Sequence, residues 1–132
     1  MRNNFVKKLF WWVPFGRVPE ITAEELHTLL DEGTKNFIMV DVRSRKEWEE
    51  NRIKGSINLP ITSLSSQYCD GVFDIDTLLI TICRTAHRSI PGYRFFVGKG
   101  FKNVFQLQGG MESWWEKGLP TEKDQTKYGK ME

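Results

Sequence analysis

Two short, nearly unbroken apolar runs constrain this 132-residue chain more than any other feature. Phe37-Ile38-Met39-Val40 ends at Asp41, and Leu78-Leu79-Ile80-Thr81-Ile82 runs straight into Cys83. Apolar stretches of this length, without polar alternation, read as strands buried on both faces, the situation of a parallel sheet. What lies between and around them is helical. Thr22 is followed three residues later by Glu25, a capping box, with Leu26, Leu29 and Leu30 as the apolar face and Gly33 as the stop. Ser44 and Glu47 repeat that spacing and predict a short helix over 45–51, although Arg45 and Lys46 sit at the wrong end of its dipole. Residues 55–60 return as an extended piece, and residues 61–76 are turn-rich with room for one short helix. A helix over 89–98 accommodates Pro91 in its first turn. A strand over 104–107, a break at Gly109-Gly110 and a last helix over 111–117 complete the reading. Strands alternating with helices define an α/β domain with a mostly parallel sheet, whose sites form beyond the carboxyl ends of the strands. Cys83 stands at such an end.

The length fits one domain that can bury a core without staples. Two cysteines, Cys69 and Cys83, and two histidines give no zinc-ligand spacing and no disulfide framework, so no metal is expected, and thiols fit a reducing, cytoplasmic setting. A net charge of +2 gives no footing for a nucleic-acid partner. No stretch approaches the roughly 20 apolar residues that cross a bilayer. Residues 1–17 form a basic, aromatic arm, with Arg2, Lys7 and Lys8 before Leu9-Phe10-Trp11-Trp12-Val13-Pro14-Phe15. Packing of that arm on the domain or on a neighbouring chain is favoured over contact with a membrane surface. The domain is assigned to residues 18–121 and a charged, frayed tail to 122–132, with fraying expected from Pro120 onward.

The chemistry is concentrated in Cys83-Arg84-Thr85-Ala86-His87-Arg88-Ser89, which joins a buried strand to a helix. Such a loop can turn successive backbone N–H groups inward, and the helix behind it adds its positive end. Arg84, Arg88 and a protonated His87 add charge of the same sign. All of these favour the thiolate, the nucleophilic form, and the basic neighbours argue against burial of Cys83 in an apolar core. Cys69, in a turn-like stretch without a motif, reads as an incidental thiol.

Taken together these segments resemble the rhodanese family. Asp41-Val42-Arg43 with Glu47 and Trp48, Ile53-Lys54-Gly55-Ser56-Ile57-Asn58-Leu59-Pro60, and the Cys83–Ser89 loop follow that family's order. So do Gly100-Phe101-Lys102-Asn103-Val104 with Leu107, Gly109-Gly110 and Trp114, and finally Gly118-Leu119-Pro120. The resemblance implies a small five-stranded, mostly parallel sheet flanked by helices on both faces. It implies a sulfurtransferase that needs no cofactor. Cys83 would take a sulfane sulfur from a donor such as thiosulfate, hold it as a persulfide, and pass it to cyanide or a thiol, a partner protein in a sulfur relay among them. Backbone N–H groups of residues 84–88 would stabilise the persulfide, and Arg84 and Arg88 would hold an anionic donor. Asp41, Arg43 and Glu47 are expected to support the site, Asp41 and Arg43 by pairing with loop backbone or with Glu47. Two positions depart from the pattern. Ala86 stands where the family often has Gly, at about 1–2 kcal/mol if that residue must be left-handed, and Arg52 stands where many members have His.

Two other readings compete. Cysteine phosphatases of related fold carry a Cys–loop–Arg cradle, but with five intervening residues, whereas four separate Cys83 from Arg88. A non-catalytic binding module is the second, and persulfide formation separates it from an enzyme.

Overall fold

The computed structural model describes residues 18–33, 36–85 and 89–124. The N-terminal arm assigned to residues 1–17 lies outside the described residues, as do 125–132. Five strands form one sheet: β1 (Glu20–Ile21), β2 (Phe37–Asp41), β3 (Ile57–Asn58), β4 (Leu78–Ile82) and β5 (Val104–Leu107). Their order across the sheet is β1-β5-β4-β2-β3, and every pairing is parallel. The two apolar runs of the sequence are β2 and β4, paired side by side from Phe37↔Leu78 to Asp41↔Ile82. β4 is central and buried along its whole length, which is why its sequence shows no polar alternation.

Helices cover both faces, as the resemblance implies. On one, α1 (Ala23–Asp31) contributes Leu26 and Leu29 to a core with Ile21, Met39, Ile80, Ile82 and Phe105. The last helix, α5 (Gly110–Glu116), adds Met111 and Trp114 to that layer. On the opposite face, α3 (Leu64–Gln67), which follows a 3₁₀ turn at Ile61–Ser63, and α4 (Ser89–Gly98) enclose Val40, Val42, Leu79 and Val104 with Leu64, Tyr68 and Phe96. Successive strand residues therefore feed alternate cores: Leu79 one, Ile80 the other. Both capping boxes form. Thr22 Oγ1 accepts from the Glu25 N–H at the head of α1, and Ser44 Oγ from the Glu47 N–H at the head of α2 (Arg45–Glu50).

β1 has no counterpart in the sequence reading. Only Ile21 of its two residues is buried, so no apolar run announces it. It is held by Gln106 N–H donating to the Pro19 carbonyl and Gln108 N–H to the Ile21 carbonyl. The frayed segment expected after Pro120 is corrected for residues 121–124. Arg52 and Glu122 exchange both backbone hydrogen bonds at 2.9 Å, and the Asp124 N–H reaches the Glu49 carbonyl. The acidic charges of this stretch are matched rather than solvated. Arg52 bonds Glu122 Oε2 at 3.1 Å and Asp124 Oδ1 at 2.8 Å while its guanidinium stacks 4.1 Å above the Trp48 ring. Burial opposes the charged form, but the bonds to Asp124 and Glu122 hold the Arg52 pKa above its ordinary value. Arg52→Ala is expected to cost about 1–2 kcal/mol, the worth of a partly buried stack with two partly buried ion pairs. Hydrogen exchange reads it directly: the Arg52 and Glu122 amides should lose protection in the variant. Among the described residues no helix is long and apolar enough to cross a membrane.

Candidate active site

Cys83 follows the last residue of the central strand, and the elements around it converge on its backbone. Its carbonyl accepts from the Met111 N–H at 2.8 Å, and the next carbonyl, of Arg84, accepts from the Glu112 N–H at 2.9 Å. The first turn of α5 is thus bound to the peptide that carries the cysteine. Gly110 makes this approach feasible. Its φ is +60°, and a Cβ there would lie 2.5 Å from the Cys83 carbonyl oxygen and 2.6 Å from that of Arg84. Both the conformation and the space call for glycine. In the sequence Gly109-Gly110 reads only as a break and a family feature, because nothing local shows what packs against it.

The thiol is not where its basic neighbours suggest. Cys83 is 1% exposed and belongs to the core layer of Val40, Val42 and Phe96. This corrects the expectation that Arg84, His87 and Arg88 would keep it out of an apolar core. The reason is strand alternation: Ile82 feeds one core and Cys83 the other, and the chain turns outward only at Arg84 and Thr85, which are exposed. Arg84 donates through Nε to Glu112 Oε2 at 3.1 Å. Ala86, His87 and Arg88 lie outside the described residues, as does the side chain of Ser89, whose backbone opens α4. Cys69 is exposed, and the two cysteines do not form a disulfide.

Asp41 and Arg43 stand at the carboxyl end of β2, the strand beside β4. Both are buried, at 0% and 2% exposure. Arg43 grips Asp41 by a fork, Nη2 to Oδ2 at 2.8 Å and Nε to Oδ1 at 3.0 Å, and its Nη2 also reaches the Asn51 carbonyl at 2.6 Å. The Arg43 N–H donates to Asp41 Oδ1 as well. The backbone partner of Arg43 is the Asn51 carbonyl at the end of α2, and its carboxylate partner is Asp41. A buried bidentate pair of this kind braces a turn. Glu47 Oε1 accepts from the Ser44 N–H and hydroxyl, so its visible work is at the head of α2. In the sequence Asn58 stands only as one position of a motif, yet its Nδ2 donates to the carbonyls of Asp41 and Arg43 at 3.0 and 2.9 Å and pins the same turn. That turn lies against the cysteine strand, with the Val42 N–H on the Ile82 carbonyl at 2.8 Å.

A parallel α/β sheet with a cysteine closing its central strand, between the starts of two helices, defines a class of cysteine-centred loop domains. Comparison with known proteins makes the class specific. Residues 22–117 match the model of the rhodanese-like domain, and the chain belongs to that family. It is 31% identical over 110 residues to the thiosulfate sulfurtransferase GlpE of Actinobacillus succinogenes, covering 83% of this chain and 93% of that protein. It is 34% identical over 97 residues to a probable molybdopterin-synthase adenylyltransferase of Porphyra purpurea. There the alignment covers 74% of this chain but only 25% of the longer protein. Among solved structures, the Alr3790 protein of Anabaena superposes with a TM-score of 0.72 at 24% identity, covering 78% of this chain and 82% of that one, a likeness of fold.

Proposed function

We propose that the protein is a sulfurtransferase that carries sulfane sulfur on Cys83, with thiosulfate as a competent donor. The observation that carries this reading is the placement of Cys83 at the carboxyl end of the central strand, its carbonyl bound by the head of α5, in a chain of the rhodanese-like family. The similarity to a thiosulfate sulfurtransferase over nearly its full length supports the donor.

In the first half-reaction the Cys83 thiolate attacks the outer sulfur of thiosulfate. A Cys83 S–S bond forms, the donor's S–S bond breaks, and sulfite leaves with the bonding pair. In the second, cyanide or a thiolate attacks the outer sulfur of the persulfide, and the Cys83 thiolate is regenerated. No general base is needed, because each nucleophile attacks as an anion. On this reading, stabilisation of the persulfide anion falls to backbone N–H groups of the loop that begins at Arg84.

Arg84 follows Cys83 in the chain, its side chain is exposed, and it is the candidate for binding an anionic donor. Arg84→Ala is expected to raise the KM for thiosulfate about five- to tenfold, about 1 kcal/mol and within the range of one ordinary hydrogen bond at an exposed site, and to leave kcat little altered. Thiocyanate formation at varied thiosulfate measures both constants, and an unchanged KM removes Arg84 from donor binding.

A further inference from the structure

We propose that Glu112 is a specificity-determining residue that competes with the donor for Arg84 and so sets how well a dianionic donor is bound. The inference rests on the sulfurtransferase reading and adds the residue that tunes it. Arg84 follows the cysteine directly, and its guanidinium is engaged by the Glu112 carboxylate at 3.1 Å. The two side chains are 57% and 51% exposed. Their proximity does not depend on the ion pair, because the Glu112 N–H is fixed to the Arg84 carbonyl at 2.9 Å and Gly110 lets α5 approach that closely. The backbone thus presents a carboxylate to the cation that follows the cysteine in the chain.

A pair this exposed is weak and exchanges its partner readily. An anionic donor can take Arg84, but it must displace Glu112 and approach a carboxylate that repels it. The repulsion scales with the donor's charge, so a dianion feels it about twice as strongly as a monoanion. Glu112 therefore biases the site against doubly charged small donors and toward donors of lower charge.

The test is steady-state kinetics on the full chain with cyanide as acceptor, for wild type, Glu112→Gln, Arg84→Ala and the double variant. Thiosulfate serves as the dianionic donor and an aryl thiosulfonate as the monoanionic one. Glu112→Gln should lower the KM for thiosulfate about two- to fivefold, the worth of an exposed pair. The fall should be smaller for the thiosulfonate, and smaller in the Arg84→Ala background, where only the direct repulsion is left to remove, since coupled residues are non-additive. Glu112→Ala provides the same comparison if the glutamine variant folds poorly. An unchanged or raised thiosulfate KM, an equal fall for both donors, or the same fall without Arg84 overturns the proposal. Wild type that forms no thiocyanate from either donor overturns the sulfurtransferase reading and this inference with it. Normal transfer with a KM indifferent to Glu112 overturns this inference alone.

Discussion

Gly110→Ala is expected to destabilise the protein by about 2–5 kcal/mol, the sum of a left-handed conformation and an overpacked contact. The methyl group would meet two backbone carbonyls, those of Cys83 and Arg84, neither of which can rotate away as a side chain could. Relief requires moving α5 or the peptide of Cys83. The first breaks the Met111 and Glu112 hydrogen bonds to the loop, and the second displaces Cys83, the proposed nucleophile. For a domain with about 5–15 kcal/mol of total stability the loss is large. It should appear as a fall in Tm of about 8 °C or more. Below the lowered midpoint, sulfur transfer should still be reduced about tenfold or more, because small misplacements of reacting groups are costly. Gly98→Ala is the control, since nothing lies within 4 Å of a Cβ at that position. A Gly110→Ala protein that melts with wild type would show that α5 is not clamped on the cysteine peptide as described.

Cys83→Ser is expected to reduce transfer to the uncatalysed level while leaving a folded protein. An alcohol oxygen at neutral pH neither attacks sulfane sulfur nor holds it as a persulfide analogue. The replacement is close in volume, so the core of Val40, Val42 and Phe96 can retain its packing. Placing a hydroxyl in this apolar layer should cost about 1–3 kcal/mol. Cys69→Ser should transfer sulfur like wild type, because Cys69 is exposed and lies outside the site elements. Circular dichroism and thiocyanate assay of the two variants side by side check both statements, and turnover retained in Cys83→Ser contradicts the mechanism.

What could be read from the sequence was local. β2 and β4 announce themselves because they are buried over most of their length and nearly all their residues are apolar. The two capping boxes fix the heads of α1 and α2 because the pattern closes over three residues. The cysteine at a strand end followed from the same run. β1 was invisible, since two residues at a sheet edge hold too little apolar surface to stand out. The depth of Cys83 is not legible there, because basic neighbours say nothing of which way a strand residue points. The remaining details join distant segments. Arg84 meets Glu112 across 28 positions, and Arg52 meets Glu122 across 70. No spacing rule reaches that far. Gly110 carries the clearest lesson: its role lies in the carbonyls it allows near, and those belong to another part of the chain.

The central claim, that Cys83 is the sulfur carrier, is tested most directly by intact mass after incubation with thiosulfate, with and without cyanide, on wild type and Cys83→Ser. A gain of one sulfur, roughly 32 Da, is predicted for wild type, reversed by cyanide and absent from the variant. An adduct that persists in Cys83→Ser, or wild type that gains no sulfur from thiosulfate or from other persulfide donors, would contradict it.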